Sequence, residues 1–345
     1  MTILSETTRQ DPAMRPAPAT YAGLSLRAWQ GLGVALVLVV ACVLPFTTSS
    51  YHLFQLTMVL VYAIALLGLN ILTGFNGQVS LGHGAFYAIG AYTTAILLDN
   101  TGIPYWATLP IAGVICLGAG FLFGLPALRL EGLYLALATF ALAVATPQLL
   151  KFRALEKWTG GVQGIVIDKP SAPDGIPLDS DQWLYFVCLA VTVPMFLIGW
   201  NLLRGRTGRA IVAIRDHPIA AASMGVDTAI YKSLTFGVSA MYTGIAGALG
   251  ALAAQFVSPD SFSVFLSISL IVGLVVGGIA SIFGVLFGAA FIVFVPNIAD
   301  QISKAAPWAI YGIFLIGFMY VLPTGVAGGI KRLGSLFSRG SDAGK

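Results

Sequence analysis

Apolar residues run along this chain in long blocks, and the polar ones gather where the blocks break. Between Arg27 and Asp99 there is no Asp, Glu, Lys or Arg. One membrane-crossing helix needs about 20 apolar residues, so this run holds about three. Between Asp260 and Asp300 lies a second uncharged run, long enough for about two more. The pattern predicts spans at roughly 29–49, 53–73, 82–98, 105–126, 132–150, 183–203, 233–257, 264–282, 283–299 and 307–323. The 82–98 span is short, and a glycine-rich string divides 264–282 from 283–299. The short alternating strands of a membrane barrel are absent. The predicted fold is all-α, a polytopic helical membrane protein with about ten transmembrane helices.

Composition agrees. The chain is 57% apolar and 9% charged, with a mean hydropathy of +0.88, where a soluble domain carries about 25% charged residues. Charge adds orientation. With the N-terminus placed in the cytoplasm and the spans counted alternately, thirteen of the 18 basic residues fall inside. Among them are Arg129, Arg204, Arg206, Arg209, Arg215 and Lys232. Lys151, Arg153, Lys157, Lys169 and Lys304 fall outside. This bias predicts that both termini are cytoplasmic. The net charge of +4 therefore belongs to loops, and no basic stripe interleaved with aromatics points to nucleic acid. Cys42, Cys116 and Cys188 fall inside spans and read as small apolar residues.

Residues 1–28 form a polar, proline-containing tail, expected to be disordered or to lie on the membrane surface. Residues 29–325 form the transmembrane domain, and 326–345 a second cytoplasmic tail. The longest outside loop, 151–182, is punctuated by Gly160, Gly161, Gly164, Pro170, Pro173, Gly175 and Pro177. The cytoplasmic loop 204–232 contains RAIVAIRDHPIAAASMGV at 209–226, helix-compatible on both sides of Pro218. A short helix is expected to begin near Asp216 or His217, with Asp216 as its N-cap. A weak internal echo relates GQVSLGHGAF at 77–86 to GIASIFGVLFGAAF at 278–291.

The chemistry is marked by what is missing. No Asp, Glu, Lys or Arg sits near the centre of a predicted span, which weakens an ion-coupled carrier, although sodium can also be held by backbone carbonyls. No GxxxxGK[ST] string occurs, so ATP-driven transport requires an ATPase on another chain. No nucleophile–base set or metal cluster stands out, and neither catalysis nor a cofactor or metal is expected. In the seventh span Gly237, Ala240, Gly244, Gly247, Ala251 and Ala254 share one helix face. That face reads as plain packing or as a seam along which helices slide. Gly273, Gly277, Ala280, Gly284 and Gly288 offer similar surfaces.

The densest polar break runs from Gly74 to Gly84. One reading is a tight cytoplasmic turn. The other is a broken helix lining a solute path or gate, with Asn70, Gly74, Asn76, Gly77, Gln78, Ser80 and Tyr87 near the lumen. His83 is then a lining donor or a structural hydrogen bonder. The loop 204–232 is likewise open to two readings: an ordinary basic loop, or a handle by which a separate ATPase drives the protein.

Four stretches together resemble the permease subunits of ABC importers for branched-chain amino acids. They are LTGFNGQVSLGHGAFYAIGAY at 72–92, PALRLEGLYLALATFALA at 126–143, TGGVQGI at 159–165 and GRAIVAIRDHPIAAASMGV at 208–226. The similarity covers about residues 53–325. It implies a multi-pass permease of the bacterial plasma (inner) membrane. The implied partners are a second homologous permease, two cytoplasmic ATPases that bind the ATP, and an extracytoplasmic solute-binding protein. It further implies an ATPase coupling loop around Arg209, Arg215, Asp216, Ala220, Ala221 and Gly225. Ile219 stands where the loop motif of such importers has Glu. Ala280, within GGIASIFG, stands where this family has a glycine. Branched-chain amino acids are the implied substrates; urea or short amides are the near alternative, and a stand-alone channel or ion-coupled carrier the distant one.

Overall fold

The computed structural model describes residues 20–21, 24–130, 132–173, 175, 177–302, 304, 307–329 and 332. Most of both expected tails lies outside these residues. Two units divide the chain. In residues 1–48, strand β1 (Thr20–Tyr21) pairs antiparallel with β2 (Leu24–Ser25), and helix α1 runs Leu26–Thr47.

The second unit, 49–345, is built from apolar helices. In chain order they are α2 (Ser50–Leu69), α3 (His83–Thr101), α4 (Tyr105–Ala127), α5 (Leu133–Leu150), the single turn α6 (Glu156–Thr159) and α7 (Ser180–Arg204). The short α8 (Arg206–Asp216) and α9 (Pro218–Ser223) follow, then α10 (Thr228–Ala254), α11 (Val264–Gly277), α12 (Gly284–Ile302) and α13 (Pro307–Val321). The end of α2 widens into a π turn over Asn70–Phe75.

Among the described residues, seven helical segments are long and apolar enough to cross a membrane, so the expected count of about ten is not reached by this measure. They are Ser50–Phe75, Tyr105–Ala127, Leu133–Leu150, Ser180–Arg204, Thr228–Ala254, Gly284–Ile302 and Ala309–Gly329. Three predicted spans are missing from this set: of the first, 29–49, only Val37–Thr47 enters this comparison, and the other two fail for identifiable reasons. α11 has 14 residues, about 21 Å at 1.5 Å per residue, short of the ~30 Å of a bilayer core. α3 carries His83 at one end and Asp99 and Asn100 at the other, which dilute its hydropathy.

Loops nevertheless sort onto two faces. On one face Arg215 reaches the carbonyl of Gly74, and Asn70 bonds the 280–281 turn. On the other, strand β3 (Ile165–Val166) pairs antiparallel with β4 (Phe256–Val257). There too Lys151 meets Asp260, Trp183 Nε1 donates to the Tyr105 hydroxyl, and Lys169 pairs with Asp181. The loops expected to be cytoplasmic and those expected outside are thereby separated, and α3 and α11 both run between the faces.

α10 is the axis of the bundle. It packs on α2, α3 and α4, and nearly all of its middle is buried. Its Asp227 N-cap carboxylate accepts from the amides of Ala229 and Ile230, each at 3.0 Å. The predicted small-residue face works by direct backbone approach. Gly237 lies against Leu117 and Phe121 of α4, Gly244 against Cys116 of α4, and Gly247 against the Tyr87 carbonyl of α3. Ala240 meets Gly120, and Ala251 is buried. Ala254 departs from the expectation: it is the last residue of α10 and is exposed, because the seam ends where the helix does. The second expected surface pairs off internally, with Gly273 against Gly288 and Gly277 against Gly284, between α11 and α12.

Gly247→Leu is expected to force α3 and α10 apart and cost about 1–3 kcal/mol. Gly118→Leu, where a Cβ meets nothing within 4 Å, serves as the control. Thermal unfolding in detergent should show a lower midpoint for the first variant and an unchanged one for the second.

Candidate coupling and gating site

A helix that stops inside an apolar bundle exposes amides and carbonyls that need partners. The break between α2 and α3 meets this need with side chains from four directions. The Leu81 amide donates to Thr139 Oγ1 of α5 at 2.9 Å, and the Gly84 amide to Ser267 Oγ of α11 at 2.9 Å. Within the break, the Gln78 amide donates to the Leu72 carbonyl at 3.2 Å, and Thr73 Oγ1 to the Gln78 carbonyl at 3.0 Å. Gly77 has φ +75°, a left-handed conformation that favours glycine and turns the chain here.

His83 stands at the first position of α3 and is buried. Its Nδ1 lies 2.9 Å from Ser80 Oγ and its Nε2 2.6 Å from Ser239 Oγ of α10. Ser239 gives its own proton to the Gly68 carbonyl at 2.6 Å, so Nε2–H donates to Ser239. Ser80 Oγ accepts from the Gly82 amide at 3.3 Å and donates to Nδ1. The Nε2–H tautomer therefore closes one directed chain from Gly82 to Gly68. His83 is a structural pin between α2, α3 and α10.

Asn70 performs the corresponding service at the neighbouring turn. Its Nδ2 donates to the Ser281 carbonyl at 3.0 Å, and its Oδ1 accepts from the Ala280 amide at 2.9 Å. The segment 278–283 is indeed a tight turn. Ala280 holds φ +59° there, a left-handed conformation that alanine rarely adopts. The two echoed strings thus both form the entry to a helix, α3 in one case and α12 in the other.

The structure gathers the sequence-predicted residues unevenly. Asn70, Asn76, Ser80, His83 and Tyr87 are buried within this chain. Gly77 and Val79 are exposed, and Gln78 is half-buried. Tyr87, one turn along α3 from His83, stacks on Tyr62 with centroids 6.2 Å apart and packs against Phe262. The Asn76 amide group is buried without a protein partner. Thr139, Ser239 and Ser267 escaped the sequence reading. Their one signal is a hydroxyl inside an apolar helix, which serves as often to bond its own preceding turn.

The second half of the site is α8–α9. α8 buries Gly208, Ile211 and Ile214 and exposes Arg206 and Arg209. The expected N-cap at Asp216 is corrected. Asp216 is the last residue of α8 and pairs with Arg215 at 2.9 Å, while His217, at φ −152°, caps α9 with Pro218 in the first turn. The extended backbone that proline requires of its predecessor falls on His217. α9 closes with paired bonds, Val226 amide to Ala221 carbonyl at 3.1 Å and Gly225 amide to Ala222 carbonyl at 3.0 Å. Gly225 takes the left-handed position at φ +83°. Ala221 packs inward; Ile219 and Met224 project, 83% and 85% exposed. Beside them Leu128, Pro218, Ala222, Thr228 and Lys232 line an open groove of about 390 Å³.

A bundle of apolar helices, interrupted at one hydrogen-bonded break and carrying a projecting helical arm on the same face, is the architecture of a multi-pass membrane permease. The chain belongs to the family described as the branched-chain amino acid transport system / permease component, whose model matches residues 51–322. It is therefore a transport protein of that family. It is similar to the high-affinity branched-chain amino acid transport system permease protein LivM of Salmonella typhimurium (strain LT2), with 35% identity over 316 residues, 85% of this chain and 72% of the relative. It is equally similar to the LivM protein of Escherichia coli (strain K12), over the same lengths. No solved structure matches.

Ala280→Gly is expected to relieve the left-handed alanine, whose cost is about 1–2 kcal/mol, offset in part by the greater freedom of glycine in the unfolded chain. Thermal unfolding should rise by a net gain below about 1 kcal/mol, with the turn unchanged.

Proposed function

We propose that this chain is the permease subunit of an ABC importer for branched-chain amino acids. It forms part of a translocation pathway with a second, homologous permease. Two cytoplasmic ATPases bind the ATP and supply the work, and an extracytoplasmic binding protein delivers the solute. The chain itself binds no cofactor or metal and catalyses no reaction. It lies in the bacterial plasma (inner) membrane with both termini and the Arg215 face in the cytoplasm, a reading supported by the distribution of Lys and Arg.

The observation that carries the proposal is the α8–α9 arm, exposed at α9 and bonded to the helix break from the last turn of α8. The arm receives the ATPase through Ile219 and Met224, an apolar contact where related loops use an acidic residue. The break around Gly74, Gly77 and Gln78 acts as the gate, and Asn70, Ser80 and His83 hold it in place. The family match and the printed names of the relatives support branched-chain substrates. An importer driven from outside the bilayer also needs no buried ion-coupling charge, and the buried polar set among the described residues contains no Asp, Glu, Lys or Arg.

Reconstituted with its second permease, ATPases and binding protein, the chain is expected to drive ATP-dependent uptake of leucine, isoleucine and valine. Uptake of urea or short amides instead would reassign the substrate. Concentrative uptake by this chain alone would end the proposal. Ile219→Asp and Met224→Asp are expected to weaken co-purification with the ATPases by about tenfold or more while the permease still inserts.

A further inference from the structure

The α8–α9 arm and the helix break are joined by one side chain. Arg215, in the last turn of α8, donates Nη1–H to the Gly74 carbonyl at 3.1 Å. Its Nε and Nη2 both reach Oδ1 of Asp216, at 3.0 and 2.9 Å. Gly74 belongs to the π turn, where the helix ladder ends and carbonyls lose their regular donors. Gly77 makes room for the arm: a Cβ there would stand 2.8 Å from Arg215 Cγ.

Contact continues beyond Gly74. Gly74 packs against Asn70 Oδ1 and the Ala280 amide, the two atoms that close the neighbouring turn. A second line leaves the end of α7, which adjoins the start of the arm. Arg204, at the end of α7, lies 3.8 Å over the Trp200 ring, and Trp200 packs on Phe283 of that same turn with centroids 5.3 Å apart. The last turn of α8 therefore bears on the break before α3, and the end of α7, which adjoins the start of α8, on the turn before α12. In the same break the Asn76 amide is buried without a protein partner.

We infer that Arg215 is a positioning residue for transport, transmitting displacement of the α8–α9 arm to the Gly74 turn. This rests on the reading of the chain as the permease of an ATP-driven importer. A staple that only tidied the loop would leave transport intact when cut. A transmitting strut, when cut, leaves the ATPases running while the gate stays still.

The test uses the full transporter in proteoliposomes, with Cys42→Ser to remove the exposed cysteine and Val79→Cys as a reporter on the exposed part of the break. ATP hydrolysis, solute uptake and the ATP-dependent change in maleimide labelling of position 79 are measured together. With Arg215→Ala, hydrolysis is expected to stay within about twofold while uptake falls about tenfold, the scale of one lost coupling contact, and the labelling change disappears. Arg215→Lys, which keeps a charged donor, is expected to restore part of both. Normal uptake and labelling in Arg215→Ala would overturn the inference. So would joint loss of hydrolysis and ATPase binding, which would make Arg215 a docking residue. If the unmutated assembly imports no branched-chain amino acid, the functional proposal fails by itself, since the labelling readout depends on ATP and not on the solute.

Discussion

Lipid offers no hydrogen bonds, so a backbone N–H or C=O left open within the bilayer costs several kcal/mol. A continuous helix satisfies this constraint alone; a broken one cannot. Interrupting α2 and α3 therefore obliges other helices to present partners at fixed places. Thr139, Ser239 and Ser267 come from α5, α10 and α11, and Asn70 extends the service to the next turn. The break is consequently the point where the bundle is tied together. Moving it means moving several helices.

Packing reinforces this dependence. Glycine opposite backbone, as at Gly247 on Tyr87 and Gly273 on Gly288, brings helices to a separation set by main chain and not by flexible side chains. Such contacts resist widening but have little to interlock against sliding along the helix axis.

The apolar periodicity made most of the helices legible, because composition and length decide them. The number able to span was not legible, since α11 ends at Gly277, five residues before the end of its predicted span, and α3 is polar at both ends. The arm was visible through Pro218 and Gly225, whose backbone limits are local. Its cap was misplaced by one residue, because Asp216 answered to Arg215 and not to the following helix. The break announced itself by its glycines, yet its role did not. Whether Asn70 and His83 face a path or a packed interior depends on where Ser239, Ser281 and Ser267 arrive, and those are separated from the break by well over a hundred positions. The contact of Arg215 with Gly74 spans 141 residues and leaves no trace in either segment.

The small strand pair at the far end of α10 has a mechanical meaning. Phe256–Val257 zips to Ile165–Val166, and the Gln255 carbonyl accepts from the Ile167 amide at 2.8 Å. α10 begins directly after α9 at the Asp227 cap. One rigid rod thus has its near end beside the arm and its far end sewn into the opposite loop. The two loop faces of the bundle are joined through a single helix.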